Sequence, residues 1–177
     1  MPTPNGHLVL VGTTASGKSA LAMEAARRRP GVELVSMDSM QIYRGMDIGT
    51  ATPSAEERAE VRHHLLDIVD PGEEFTVSEF KASCMTVLAD LDERGARGVL
   101  VGGTGLHVRA VVDDLEIPGR FDEVRVDLEA EPDTAALHDR LRGLDPVAAE
   151  RMEPTNRRRV VRALEVCVGS GRPFSSF

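Results

Sequence analysis

Gly12, Thr13, Thr14, Ala15, Ser16, Gly17, Lys18 and Ser19 follow one another between an apolar run and a stretch rich in Ala and Leu. A glycine, four residues, a second glycine, a lysine and a hydroxyl residue make a phosphate-binding P-loop. Each residue type has a physical reason. Gly12 and Gly17 permit torsions and close approaches that a Cβ would block. Successive backbone N–H groups then turn inward around phosphate oxygens. The N-terminus of the following helix adds partial positive charge. Lys18, one of two lysines in the chain, supplies a mobile cation, and Ser19 offers its hydroxyl to Mg2+.

Asp38 stands just past a second apolar run. In an open parallel sheet ligands bind beyond the strand C-termini, so Asp38 shares an edge with the P-loop. It is a candidate general base or Mg2+ partner; a turn-forming Asp is the plainer alternative. A third apolar run, residues 98–101, leads into Gly102, Gly103, Thr104 and Gly105 with no acid. A P-loop NTPase places a Mg2+-binding acid at such a strand end, so its absence argues against ordinary nucleotide hydrolysis. Thr104 offers a hydroxyl there, or a helix cap. Arg158 and Arg162 are four apart on one helix face, beside Arg157 and Arg159. That arrangement suits an RNA phosphate backbone. The alternative is a solvated face paired with Glu153 or Glu165. His63 and His64, with Asp67 and Asp70, lack metal-ligand spacing.

These residues need elements to position them. Residues 7–11, 32–37 and 97–101 read as buried parallel strands. Residues 18–29 read as a helix stopped by Pro30 and Gly31. Ser54 with Glu57, and Thr76 with Glu79, have capping-box spacing and open two more helices. The second carries Val77, Phe80, Cys84, Val87, Leu88 and Leu91 on one face. Residues 65–69 read as a short extended piece. After Pro118, residues 122–130, 134–141, 146–152 and 156–168 read as helices. The expected fold is therefore α/β: a P-loop NTPase-like parallel sheet flanked by helices, with a helical appendage in the C-terminal third. The expected division is residues 1–117, 118–155 and 156–177.

At 41% hydrophobic, the 177 residues can bury a core. The net charge of −8 speaks against generic nucleic-acid binding. The charge is uneven, however. Residues 113–133 hold nine acids and two arginines, whereas residues 151–172 hold six arginines and two glutamates. The two cysteines, Cys84 and Cys167, fit a reducing compartment, and no apolar stretch reaches membrane-span length. A cytoplasmic protein is expected.

The P-loop, the run Asp38-Ser39-Met40-Gln41 continuing to Pro53, His63-His64-Leu65, Gly102-Gly103-Thr104-Gly105-Leu106 and residues 156–165 together resemble the tRNA dimethylallyltransferase family, the bacterial tRNA isopentenyltransferases. The resemblance runs through nearly the whole chain in order. It implies transfer of a dimethylallyl group from dimethylallyl diphosphate to N6 of the adenine 3′ of the anticodon, in tRNAs reading U-initial codons. It implies that the P-loop grips the donor's diphosphate, with Mg2+ at Ser19. By similarity, Asp38 takes the amine proton and Thr104 orients the leaving diphosphate. Asp38, Ser39, Met40 and Gln41, and Arg158, Arg159, Val160, Val161 and Arg162, would lie against the tRNA anticodon stem-loop. The helices after Pro118 would belong to a tRNA-embracing insertion, and a monomer is expected. His107 stands where the family usually has Tyr. The end at Phe177 falls inside a family motif, so the chain is expected to be an N-terminal portion. A P-loop kinase using ATP, and an inactive diphosphate- or RNA-binding fragment, are the competing expectations.

Overall fold

The computed structural model describes residues 6–103 and 105–177. The chain divides into two compact units, Met1–Leu115 and Glu116–Phe177.

The first unit is built on a parallel sheet. Its strands are β1 (Leu8–Val11), β2 (Val32–Ser36), β3 (His63–His64) and β4 (Arg97–Gly102), in the order β1-β4-β2-β3. Helices α1 (Lys18–Arg27), α2 (Ala55–Glu60), α3 (Val77–Glu93) and α4 (Leu106–Val112) follow the strands. Alternate strand residues serve opposite faces. Leu34 and Val99 pack with Ala22, Met23 and Ala26 of α1. Val35 and Leu100 pack with Phe80, Cys84 and Leu91 of α3. Both expected capping boxes form, at Ser54 with Glu57 and at Thr76 with Glu79.

Two expectations need correction. The strand expected over residues 7–11 forms, but at the sheet's edge. Leu8, Val9 and Val11 are 55%, 42% and 46% exposed. Apolar composition makes the strand, but only neighbouring elements bury it. Residues 65–69 are not a strand. The pairing is made by His63–His64, after which Leu65 and Asp67 adopt left-handed torsions (φ 60° and 54°) that break an extended chain. Helix α4 follows the glycine loop, where the sequence offered only a candidate cap at Thr104 and no extent, because seven residues are too short to show a clear period.

Glu33 of β2 ties three elements together at the sheet edge opposite the P-loop. Arg94 donates to both of its oxygens, at 2.6 and 3.0 Å, and His64 Nε2 lies 2.5 Å away. The Arg94 guanidinium, helped by His64, outweighs burial and holds the Glu33 carboxyl down at about 2. A carboxylate depressed in the folded state stabilises above its unfolded pKa, and the gain is lost as pH falls through the folded one. The first unit should therefore lose about 2 kcal/mol between pH 6 and pH 3 through this group. Urea unfolding at the two pH values measures it. Glu33→Gln should remove that component; an unchanged pH dependence in the variant would refute the assignment.

The second unit is helical: α5 (Asp122–Ala130), α6 (Thr134–Leu144), α7 (Pro146–Glu150), α8 (Arg157–Ser170) and a 3-10 turn, Phe174–Ser176. The apolar stripe of α8 is its centre. Val160, Val161, Ala163, Leu164 and Cys167 pack with Leu128, Leu137, Leu141 and Ala149. Residues 118–155 and 156–177, separated in the sequence reading, thus share one core. Asp145 is buried and accepts from Ala148 N, Ser175 N and Ser175 Oγ, so it both caps α7 and anchors the 3-10 turn. Arg157 donates to the carbonyls of Glu129, Glu131 and Pro132 at the end of α5. No described helix is long and apolar enough to cross a membrane.

Candidate active site

Parallel pairing brings three chain segments to one edge of the sheet. β4 lies between β1 and β2, so the chain leaves all three strands side by side. Gly12 N donates to Gly102 O at 3.3 Å, and Met37 N donates to Val101 O at 2.9 Å. The P-loop, the glycine loop from Gly102 and the Asp38 loop therefore begin at adjacent positions. Gly102 is required there, because a Cβ would stand 2.6 Å from Met37 Cβ and 3.0 Å from Met37 O.

The P-loop is shaped for an anion. Ala15 and Gly17 have φ of 63° and 82°, which turns the chain tightly into α1. A Cβ on Gly12 would meet Ser16 Oγ at 2.8 Å. Helix α1 has no side-chain cap, so its first N–H groups are offered to a ligand rather than to a neighbouring oxygen. Lys18 Nζ reaches back over the loop to Thr13 O, at 3.2 Å. Ser19 is exposed in the first turn of the helix.

Asp38 is partly buried and held by its own turn. Its Oδ1 accepts from Met40 N at 2.8 Å, and its N–H donates to Ser36 Oγ. Among the described residues Oδ2 makes no hydrogen bond. The bond to Met40 N fixes one oxygen of the carboxylate. Gln41 is engaged within its own loop. Its side chain accepts from Ser36 Oγ and donates to the carbonyls of Thr50 and Ala51, so it braces the loop from within. Ser39 and Met40 face outward. Thr104 lies outside the described residues.

On α8 the expected RNA-facing residues separate into three kinds. Val160 and Val161 are 0% and 2% exposed in the core, so they position the helix and their side chains are closed to a ligand. Arg162 is engaged within the unit. It donates to Glu165 at 2.6 Å, to Gly119 O at 3.0 Å and to Pro118 O at 2.8 Å. Arg158 and Arg159 are exposed, and among the described residues their guanidinium groups have no partner.

A family model described as IPP transferase matches residues 41–177. The chain belongs to the IPP transferase family. A tRNA dimethylallyltransferase of Geobacter metallireducens is 52% identical over 97% of this chain and 57% of its own length. One of Bifidobacterium longum subsp. infantis is 49% identical over 94% of the chain and 53% of its own length. The chain therefore spans about half the length of these relatives. Among solved structures, the full-length tRNA isopentenylpyrophosphate transferase of Bacillus halodurans is similar, with 45% identity and a TM-score of 0.59. The match covers 94% of this chain and 56% of that one. A eukaryotic dimethylallyltransferase acting on tRNA superposes with a TM-score of 0.83 at 29% identity, over 96% of this chain and 43% of that one.

Within this IPP transferase chain, His107 lies in the first turn of α4. Helix α4 places it half-buried, its ring edge-on to Phe80 at 4.7 Å between centroids. Burial pushes its pKa down, and the charge of Asp38 acts in the opposite direction. His107 thus lies within electrostatic reach of the candidate base, which no spacing in the sequence indicated. It should titrate below the ordinary histidine value of 6.5, and Asp38→Asn should lower it further. Imidazole proton shifts followed against pH by NMR test this. A His107 titration unmoved by Asp38→Asn would put the two groups out of reach.

Proposed function

We propose that this chain carries the donor-binding and proton-accepting part of a tRNA dimethylallyltransferase. The supporting observation is the convergence of the P-loop, the Gly102 loop and Asp38 at one sheet edge, in a member of the IPP transferase family. The donor is dimethylallyl diphosphate. The acceptor is N6 of the adenine 3′ of the anticodon in tRNAs reading U-initial codons. The N6 lone pair forms a bond to the allylic carbon as that carbon's bond to the diphosphate oxygen breaks. Asp38, through Oδ2, takes the proton that N6 must lose. Loop N–H groups and Lys18 stabilise the charge that builds on the leaving diphosphate. Thr104 is assigned to orienting that group. The proposed setting is a cytoplasmic monomer.

The donor set suits Mg2+ held mainly by the substrate. Among the described residues no three His, Cys, Asp or Glu side chains gather as a cation site. Ser19 supplies one hard oxygen, and diphosphate oxygens and water would supply the others. When bound, Mg2+ adds charge neutralisation at the leaving group.

Calorimetry with dimethylallyl thiodiphosphate and Mg2+ tests the loop. Lys18→Ala should weaken binding about 10- to 100-fold, the loss of a charge-assisted contact. Tighter binding of ATP than of the analogue, with phosphoryl transfer, would replace this reading by the kinase one.

A further inference from the structure

Ser36 is the last residue of β2, and its side chain is buried beside the Asp38 turn. We propose that the Ser36 hydroxyl is a positioning group for the reaction: it holds Asp38 in place to take the proton. The inference rests on the reading of Asp38 as proton acceptor and names the residue that aims it.

The sheet's hold on the chain ends just short of Asp38. Ser36 pairs with Val101 of β4, and Met37 N donates to Val101 O at 2.9 Å. Asp38 N is the next donor along the chain. Its acceptor is not in β4 but is Ser36 Oγ, at 3.3 Å. The Ser36 side chain thus extends the strand's hold by one residue. The Asp38 carboxylate then closes on Met40 N at 2.8 Å. Asp38 is held at two points, its own N–H and its Oδ1, and Ser36 supplies the first.

The direction of each bond at Ser36 follows from its neighbours. Gln41 Nε2 lies 2.9 Å from Thr50 O and 3.2 Å from Ala51 O, two acceptors that only the amide nitrogen can serve. Gln41 Oε1 therefore faces Ser36 Oγ, 2.6 Å away, as an acceptor. The Ser36 O–H is committed to Gln41, which leaves a lone pair for the Asp38 N–H. Thr50 is tied down in turn: its Oγ1 donates to Met46 O at 2.6 Å and lies 2.7 Å from Thr52 Oγ1. Ser36 thereby joins the strand that carries Asp38 to the loop over residues 46–52. Ser36 is only 7% exposed, so an alanine there leaves the Asp38 N–H and Gln41 Oε1 without a ready replacement. A base displaced by a fraction of an ångström loses rate while the groups that grip the donor stay as they are.

Single-turnover transfer of a labelled dimethylallyl group to an anticodon stem-loop tests the assignment. Ser36→Ala should slow transfer about 5- to 30-fold. Calorimetric affinity for dimethylallyl thiodiphosphate should change by less than about twofold. In an Asp38→Asn background the same substitution should have no further effect, since no base is left to aim. A loss caused by unfolding or by a shifted P-loop would persist there. Amide hydrogen exchange reads the geometry without turnover: in Ser36→Ala the Asp38 and Met40 N–H groups should exchange at least about 10-fold faster, with Met37 unchanged. Parental transfer by Ser36→Ala, an equal loss in both backgrounds, or unchanged exchange at Asp38 and Met40 would each overturn the positioning role and leave the reading of Asp38 standing. Parental transfer by Asp38→Asn, or no transfer by the unaltered chain, would remove both.

Discussion

Asp38→Asn should slow prenyl transfer to an anticodon stem-loop by about 10²- to 10⁴-fold, the contribution expected of a general base. Affinity for the diphosphate donor should change by less than about threefold, because the groups that grip it are elsewhere. The substitution is chosen for its geometry. An asparagine Oδ1 can still accept from Met40 N, the 2.8 Å bond that holds the turn, while the proton-accepting oxygen is lost. Lys18, Ser19 and the loop N–H groups belong to the turn after β1, with β4 between β1 and β2, and keep their positions. Transfer of a labelled dimethylallyl group in single turnovers, set beside calorimetric donor affinity, separates the two effects. A parallel loss of both would show that Asp38 shapes the site rather than taking the proton.

Glu165→Ala should cost the helical unit about 3–5 kcal/mol, the range for breaking a buried ion pair. Glu165 is 1% exposed and accepts from Phe121 N at 2.9 Å, Arg162 at 2.6 Å and Arg125 at 3.4 Å. Removing it strands the Phe121 N–H group and takes the carboxylate partner from Arg162 and Arg125. For a unit of this size the midpoint of thermal unfolding should fall by more than about 12 °C. Arg162→Ala should act in the same direction, since it leaves the carboxylate without its closest partner. Arg158→Ala should leave the midpoint unchanged and weaken RNA binding with a shallower salt dependence. Circular dichroism melts of the three variants decide the matter. If Arg162→Ala melted with the parent while losing RNA affinity, Arg162 would belong with Arg158 on the RNA side.

Much of the first unit is legible without coordinates because its signals are local. Glycine, lysine and serine at Gly12, Gly17, Lys18 and Ser19 prescribe a turn and a helix start wherever they follow a strand. Ser54 and Thr76 carry their capping partners three residues on, and both boxes form. The placement of Asp38 by the P-loop follows from strand–helix–strand order alone. The arginines show why the rest was not legible. Arg157, Arg158, Arg159 and Arg162 are chemically alike, and their spacing offers a binding face as readily as a paired one. Glu165, three residues on, is a local partner for Arg162, but only the chain's return places carbonyls around Arg157 and Arg162, and nothing around Arg158 and Arg159 among the described residues.

Gln41 and His107 teach the same lesson at the sheet edge. Gln41 sits in the run that the resemblance sets against tRNA, and its amide meets Ser36, Thr50 and Ala51. His107 is distant from Asp38 in the chain and close enough in space to feel its charge. The sequence by itself determined the phosphate loop, the family and the helix starts, because these depend on residues within a turn or two of one another. The tertiary structure decided which charges are free, which apolar strand lies at the edge and which side chains meet Asp38. Those outcomes depend on contacts between residues far apart in the chain, and no local spacing encodes them.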